Sequence, residues 1–237
     1  MTNIKWIAII ALIVAACLLS GGCETDKAYG REKSLSVPGT RQRVWAVAPV
    51  VNLSGQRGVD PLLQADLVYQ QLQTVNGLTV VPVDRVAQVY AAAGIEQVQS
   101  PEQAMAVIDA LGCDGLIVTT VTQFDAYNPP KFAGAMQLFE RPTSRQNTGP
   151  DPQQMLRAAT PGPETAMPRD NDFVQVVGMY DSANGSVREA VLRYAAGRHE
   201  PAGPMGVKEY FVSMDRYCGF AYYTLTESLL VRLANGR

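Results

Sequence analysis

The sequence predicts a single-domain α/β fold in which a mixed sheet is flanked by helices. Residues 44–51 and 78–83 are continuous apolar runs of strand length, typical of strands that are covered on both faces. A helical segment lies between these two runs, which favours a parallel crossover connection. Further strands follow later in the chain, and these can pair antiparallel. Strands that alternate with helices in this way indicate a layered α/β fold.

Capping residues predict where the early helices begin and end. An aspartate or a serine stands at each predicted start, and a glycine follows each predicted end. The first predicted segment, 60–77, begins with Asp60 and Pro61. The second, 84–94, begins with Asp84, and the third, 100–112, begins with Ser100. The apolar stripe of the first helix is predicted to contain Leu63, Leu67, Val68, Leu72 and Val75.

The rest of the folded chain is predicted to consist of three strands and two further elements. The strands are residues 113–124, 132–139 and 173–180, with the second returning along the first as a hairpin. Residues 187–196 fit a strand or a helix, and their alanines and Glu189 favour the helix. Residues 207–233 carry apolar side chains at intervals of three and four, which predicts a long amphipathic helix with a possible break at Gly219. In the first predicted strand, residues 44–51, Pro49 cannot donate a hydrogen bond and is expected near the end of the strand.

Residues 141–172 interrupt the pattern with six prolines and no sustained periodicity. A loop of this length inside a domain is either functional or disordered, and its composition favours a disordered insertion.

The first 22 residues have the layout of a secretory signal peptide. Lys5 gives a basic head, residues 6–19 are apolar, and the small residues Ser20, Gly21 and Gly22 precede Cys23. The apolar run is shorter than the roughly 20 residues of a membrane-spanning helix, which is the alternative interpretation. We therefore expect a signal peptide at 1–22, a flexible tether at 23–43, and one domain at 44–237.

Small residues directly before a cysteine resemble the lipobox of bacterial lipoproteins. The resemblance implies that Cys23 is diacylated, by palmitate or similar chains, and anchors the protein to a membrane. Cys17 follows a similar pattern and is the alternative, but Cys23 keeps the whole apolar run inside the signal. Because Glu24 rather than an aspartate follows Cys23, the resemblance implies sorting to the outer membrane, facing the periplasm.

No motif of a known catalytic centre is present in the sequence. It lacks Gly-x-Ser-x-Gly and a phosphate-binding loop, and its single histidine, His199, has no second histidine or cysteine nearby. The carboxylate pairs Asp109 with Asp114 and Asp181 with Glu189 have no motif around them. We therefore expect no enzyme activity, no cofactor and no metal site, with a periplasmic hydrolase as a minor alternative.

Charge and cysteine content narrow the class of partner. The formal net charge is −2 and no basic patch occurs, so nucleic acid is not an expected partner. Cys113 and Cys218 lie in apolar surroundings and are expected to be buried free thiols, although an exported protein is able to form a disulfide.

The most distinctive internal motif is Tyr127-Asn128-Pro129-Pro130. It is predicted to form a rigid bend between two strands, and its functional interpretation is an exposed aromatic and proline knuckle that contacts another protein.

Three short motifs resemble a superfamily of envelope proteins. They are Val47-Ala48-Pro49-Val50 with Asn52-Leu53-Ser54-Gly55, then Val80-Val81-Pro82-Val83-Asp84-Arg85, then Gly112-Cys113-Asp114-Gly115 before an apolar run. The superfamily includes the curli-secretion lipoprotein, the lipoprotein activators of penicillin-binding proteins, and the amino-terminal domain of the Tol-system β-propeller protein. Tyr180-Asp181 with Asn184-Gly185 resembles a later turn of the family. Val50, Cys113 and Asn184 depart from the family's usual Phe, Ala and Thr.

The resemblance implies a non-enzymatic, lipid-anchored cell-envelope protein that binds a partner protein and supports envelope assembly or regulation. The alternative is an oligomeric secretion or channel component like the curli-secretion lipoprotein. The identity of the envelope partner and the oligomeric state stay open at this point.

Overall fold

Six strands form one mixed sheet in the computed structural model, which describes residues 34–141, 173–196, 198 and 203–235. The strands are β1 Arg43–Val47, β2 Val51–Asn52, β3 Leu78–Val81, β4 Gly115–Asp125, β5 Lys131–Glu140 and β6 Phe173–Asp181. Their order is β3-β1-β4-β5-β6, and β2 pairs with the later part of β4. Strands β1, β2, β3 and β4 are parallel, whereas β5 and β6 are antiparallel to their neighbours. The predicted α/β fold with a mixed sheet is confirmed.

The first predicted strand is divided at Pro49. β1 ends at Val47, the N–H of Ala48 still bonds to the carbonyl of Ile117 at 2.9 Å, and pairing resumes where Val51 lies opposite Thr120. Because proline has no N–H, it cannot continue the ladder, so the apolar run becomes two strands on the same side of β4.

Six α-helices and one 3₁₀ turn cover the sheet in the described residues. The α-helices are α1 Pro61–Gln73, α2 Val83–Ala93, α3 Pro101–Leu111, α4 Gly185–Ala195, α5 Glu209–Val212 and α6 Met214–Ala234, and the 3₁₀ turn is Gly206–Lys208. Asp60 accepts hydrogen bonds from the N–H groups of Leu62 and Leu63, and Ser100 accepts one from Gln103, as their capping roles predict. The segment 187–196 is a helix, capped by Asn184.

Three sequence-based expectations about the helices are wrong in detail. The cap position of α2 is Pro82, and Asp84 lies inside the first turn, where a carboxylate favours the positive end of the helix dipole. Leu63 is 47% exposed because Gln64 and Ala65 face the core instead. The long C-terminal helix breaks at Ser213, which caps α6, and Gly219 is buried within it.

Each face of the sheet packs against its own set of helices. Helices α1, α4, α5 and α6 cover one face, around buried Trp45, Ile117 and Phe132. Helices α2 and α3 cover part of the other face, around Ala46 and Leu116. Successive β1 residues thus point to opposite layers, as the period of a strand requires. In the described residues, no helix is both apolar and long enough to cross a bilayer.

The folded body begins earlier than residue 44. Leu35 and Val37 are buried in the layer formed by α1 and α6. The Leu35 carbonyl accepts the N–H of Asn76 at 2.8 Å, and the N–H of Val37 donates to the Asn76 carbonyl at 3.0 Å. Residues 34–43, predicted as the end of the tether, therefore pack on the domain through two apolar side chains spaced two apart. The predicted signal peptide, Cys17, Cys23 and nearly all of the predicted insertion at 141–172 lie outside the described residues.

A buried hydrogen bond joins α1 to α6 and makes the packing of these helices testable. Tyr222 Oη donates to Gln64 Oε1 at 2.7 Å, and both side chains are buried. Tyr222→Phe leaves the Gln64 amide unsatisfied, so we expect the free energy of unfolding to fall by about 1–3 kcal/mol. Urea denaturation measures this change. The matched control is Tyr69→Phe, which removes an exposed bond to Gln73 and is expected to change little; equal effects of the two variants would contradict the assignment.

Candidate protein-contact surface

The Tyr127 motif forms the turn of the β4–β5 hairpin. Asp125 Oδ1 accepts the N–H of Tyr127 at 3.0 Å, the Asn128–Pro129 peptide bond is cis, and the carbonyl of Pro130 accepts the N–H of Ser182 at 3.1 Å. The Tyr127 side chain is 86% exposed. The motif is therefore a bend held at both ends, as predicted, and it presents an aromatic ring to solvent at the hairpin tip, residues 126–130.

Charged side chains form the first row below the hairpin tip. Lys131 lies opposite both Asp125 and Asp181 in the ladders, and its Nζ is 3.1 Å from Asp181 Oδ2. The N–H of Ala183, followed by the Lys131 ammonium, holds the pKa of Asp181 below its ordinary value. The carboxylate thus stays ionised and ties the end of β6 to the start of β5.

Below this row, one face of the hairpin carries apolar side chains that no described helix covers. Ala133 lies opposite Met179, and Ala135 lies between Thr120 and Val177. Val177 is 72% exposed and Met179 is 68% exposed. We name these five residues the open face. Small alanines flanked by exposed Val and Met make a flat apolar patch, which is bordered on β4 by the polar side chains of Thr120 and Gln123. Exposed apolar patches mark sites of interaction.

The open face ends where the helix layer begins. Gln137 Nε2 donates to Gln175 Oε1 at 2.8 Å, and in the next row the Phe139 and Phe173 rings lie 5.3 Å apart. Phe139 is buried in the cluster formed with α2 and α3. Because these two helices pack at the base of β4 and β5, the half of the hairpin nearer the tip remains uncovered on this side.

On the opposite side of the hairpin, two glycines admit aromatic rings. Gly134 lies opposite Gly178, and a Cβ added to Gly178 would lie 2.4 Å from the Tyr180 hydroxyl. The Phe132 and Tyr180 rings stack above the two glycines, with their centroids 6.4 Å apart. The Tyr180 ring also packs edge-on against the Phe220 ring of α6, with their centroids 5.5 Å apart. The face of the hairpin opposite the open face is thus packed against α6. This packing supports the hairpin tip without a helix on the open face.

The Asn-Leu-Ser-Gly motif builds a tight loop after β2. Asn52 Oδ1 accepts the N–H and the hydroxyl of Ser54 at 3.0 and 2.7 Å, and Asn52 Nδ2 donates to the carbonyl of Gln56 at 2.8 Å. These bonds direct Leu53 outward, where its side chain is 66% exposed. The motif therefore serves loop geometry and places a second exposed apolar residue at the tip end of the sheet.

Asp114, in the Gly-Cys-Asp motif, connects β4 to β1. Its Oδ2 accepts the N–H of Val44 at 2.8 Å, and its own N–H donates to the Val44 carbonyl at 2.7 Å. Two other carboxylates singled out in the sequence form ion pairs with arginines. Arg141 Nη2 lies 2.8 Å from Asp109 Oδ1, and Arg193 Nη1 lies 3.7 Å from Glu189 Oε2. These contacts give each carboxylate a structural partner.

The two domain cysteines are buried and free, as expected. Burial raises the pKa of both thiols, so neither is a ready nucleophile. In the part of the chain that the structure describes, no group of three His, Cys, Asp or Glu side chains could hold a metal ion. His199 lies outside that part.

The sequence singled out the hairpin tip but missed the open face. Residues 173–180 alternate little and are mostly apolar, which is typical of a strand buried on both sides. Val177 and Met179 are exposed because the helix layer stops short of them, and this depends on helix placement rather than on the local sequence.

No family model and no curated protein matches this chain. Among solved structures, the C-terminal domain of LpoB from Salmonella enterica is similar over 44% of this chain and 75% of its own, with 15% identity and a TM-score of 0.35. The lipoprotein GNA1162 from Neisseria meningitidis is similar over 49% of this chain and 92% of its own, with 17% identity and a TM-score of 0.35. A PelC dodecamer from Paraburkholderia phytofirmans is similar over 82% of this chain and 93% of its own, with 6% identity and a TM-score of 0.37. At TM-scores of 0.35 to 0.37, these likenesses assign neither a family nor a function to this chain.

The Lys131–Asp181 pair predicts a specific pH dependence. A carboxylate with a lowered pKa stabilises the fold above its unfolded pKa of about 3.9, and this contribution is lost as the pH falls through the folded value. We expect Asp181→Asn to lower the melting temperature at pH 7 and to match the parent chain at strongly acidic pH. Thermal melts across this range measure the difference. Glu189→Gln, which breaks an exposed pair within α4, is the control and is expected to shift the melting temperature less; a pH-independent effect of Asp181→Asn would contradict the charge assignment.

Proposed function

We propose that this chain is a non-enzymatic, lipid-anchored protein of the bacterial cell envelope that binds a partner protein. The observation that carries the proposal is the exposed apolar open face, with the exposed Tyr127 ring at the hairpin tip beyond the charged row that contains Lys131. Monomeric soluble domains seldom leave such surfaces uncovered, and aromatic residues are enriched where proteins meet. By binding its partner, the protein would support assembly or regulation of the envelope.

The anchor in this proposal is a lipid on Cys23. A lipid confines the domain to the membrane surface and raises its effective concentration near membrane-bound partners. The non-aspartate residue Glu24 supports an outer-membrane location facing the periplasm. The signal peptide at 1–22, the tether that follows it, and the single domain with its proline-rich insertion at 141–172 belong to the same proposal.

Substituting each candidate cysteine tests the anchor. Cys23→Ser is expected to abolish labelling by radioactive palmitate and to release the protein from the membrane fraction. Cys17→Ser, the matched control six residues earlier, is expected to leave both readouts at the parental level. The reverse pattern would move the lipid to Cys17, and retention of both variants in the membrane without label would favour a spanning helix.

Site-specific photocrosslinking tests the contact surface. A photoreactive amino acid in place of Tyr127, expressed in the full-length chain in its own cells, is expected to give one discrete adduct with an envelope protein. The same amino acid in place of Val212, which is exposed on α5, is the control and is expected to give none.

The variant Met179→Lys sharpens this test, because it charges the open face without touching the hairpin tip. If the partner contacts both the hairpin tip and the open face, we expect Met179→Lys to reduce the yield of the adduct at position 127 by about tenfold. The reason is that burying an unpaired charge costs free energy. Equal adducts at positions 127 and 212, or an adduct that Met179→Lys leaves unchanged, would contradict binding through this surface.

A further inference from the structure

Strand β6 is a long edge strand without the usual protection against pairing. It is nine residues long, stands last in the strand order, and pairs with β5 without a register shift. Residues 173–180 contain no proline and no charged residue. Exposed edge strands normally carry lysines, prolines or bulges that prevent another chain from pairing with them. An edge of this kind is suited to strand addition.

Two hydrogen bonds show which backbone groups of β6 face outward. The N–H of Ser182 bonds to Pro130, so even-numbered residues direct their backbone groups towards β5. Arg232 Nη1 instead donates to the carbonyl of Gln175 at 3.0 Å from outside the ladder. Because outward and inward groups alternate in an antiparallel pair, Val177 and Met179 also present their N–H and C=O groups to the free edge.

None of the other described strands pairs with the free edge. A shallow groove of about 420 Å³ runs beside it, lined by Phe173, Gln175, Val177 and Arg232. A carbonyl oxygen has two lone pairs, so Gln175 is able to keep its Arg232 donor while it accepts a bond from an added strand.

We propose that β6 pairs antiparallel with β6 of a second copy of this chain, across a two-fold axis at Val177. In this register Val177 lies opposite Val177 of the second copy, and Gln175 lies opposite its Met179. The three central facing pairs, formed by residues 175, 177 and 179, give about six backbone hydrogen bonds across the axis, two for each pair. The two sheets become one, and the two open faces join into a single apolar surface.

Charge favours a second copy over a different partner. Residues 173–180 carry no charged side chain, but the groove beside them is lined by the cationic Arg232, which bonds to the Gln175 carbonyl. In the two-fold register the end of one edge that carries Arg232 lies beside residues 179–181 of the second copy. Each Arg232 is therefore nearer to an anionic residue, Asp181 of the second copy, than to the other arginine, which lies at the opposite end of the interface. Asp181, at the end of β6, lies opposite Phe173 of the second copy and keeps its own Lys131 partner. The dimer goes beyond the proposed function and requires neither the lipid nor the Tyr127 contact.

Disulfide trapping in native membranes tests the two-fold register. Residues facing each other in a hydrogen-bonded pair have Cα atoms about 5.5 Å apart, which a disulfide spans. We expect the full-length Val177→Cys chain, under mild oxidation, to give a disulfide-linked homodimer that the parent chain does not form. The matched control is Leu53→Cys, which is similarly exposed but follows β2, on the far side of β4 and β5 from β6. No homodimer at position 177, equal crosslinking at position 53, or a crosslink to a different protein would overturn the proposal.

Proline substitution separates pairing from folding. The Val177 N–H faces outward, so Val177→Pro removes an edge donor without breaking the β5 ladder. We expect purified full-length protein in detergent to have the mass of a dimer by analytical ultracentrifugation, and Val177→Pro to weaken dimerisation by about tenfold or more. Val177→Lys, which uses the charge that natural edges carry, is expected to do the same and serves if the proline variant fails to fold. A monomeric parent chain, or dimers unaffected by the folded variants, would overturn the proposal, while the Tyr127 crosslink would be unaffected.

Discussion

The fold depends on the two different kinds of pairing that β4 makes. Its eleven residues pair in parallel with β1 and β2 on one side and antiparallel with β5 on the other. The two bonds between Asp114 and Val44 fix where β4 begins beside β1. Once that register is set, the apolar start of β4 lies between two helix layers, and its later half extends beyond β1 and carries the hairpin. The buried core and the exposed tip are thus parts of the same strand.

The two faces of this hairpin are built from different residue types for a physical reason. The face towards α6 carries Phe132 and Tyr180, whose rings fill the space above Gly134 and Gly178 and reach the helix. The other face carries Ala133 and Ala135, which add little bulk. Because the aromatic side stabilises the hairpin, Ala133 and Ala135 on the other face do not need to pack against a helix, and their small side chains leave that face flat.

Much of this architecture was readable from the sequence where local chemistry decides it. Asp60 and Ser100 cap helices because their side chains bond to free N–H groups nearby, and the strands follow the apolar runs. The errors fall where packing decides. Leu63 looked like a core residue but is exposed because Ala65 faces the core, and the helix break lies at Ser213 because its hydroxyl caps α6. The tip motif was identified because tyrosine and prolines stand out in a chain, whereas Val177 and Met179 resemble ordinary strand interior.

The early start of the folded body also limits how far the hairpin tip can be from a lipid. Leu35 and Val37 hold the chain beside Asn76, at the amino-terminal end of the parallel strands, whereas Tyr127 lies beyond their other end. With a lipid on Cys23, eleven residue steps separate it from Ser34, a span of at most about 40 Å. The eleven residues of β4 add about 35 Å. The two lengths sum to about 75 Å, which sets the scale of the distance between the tip and the bilayer. A tether that continued to residue 43 would have made this distance larger.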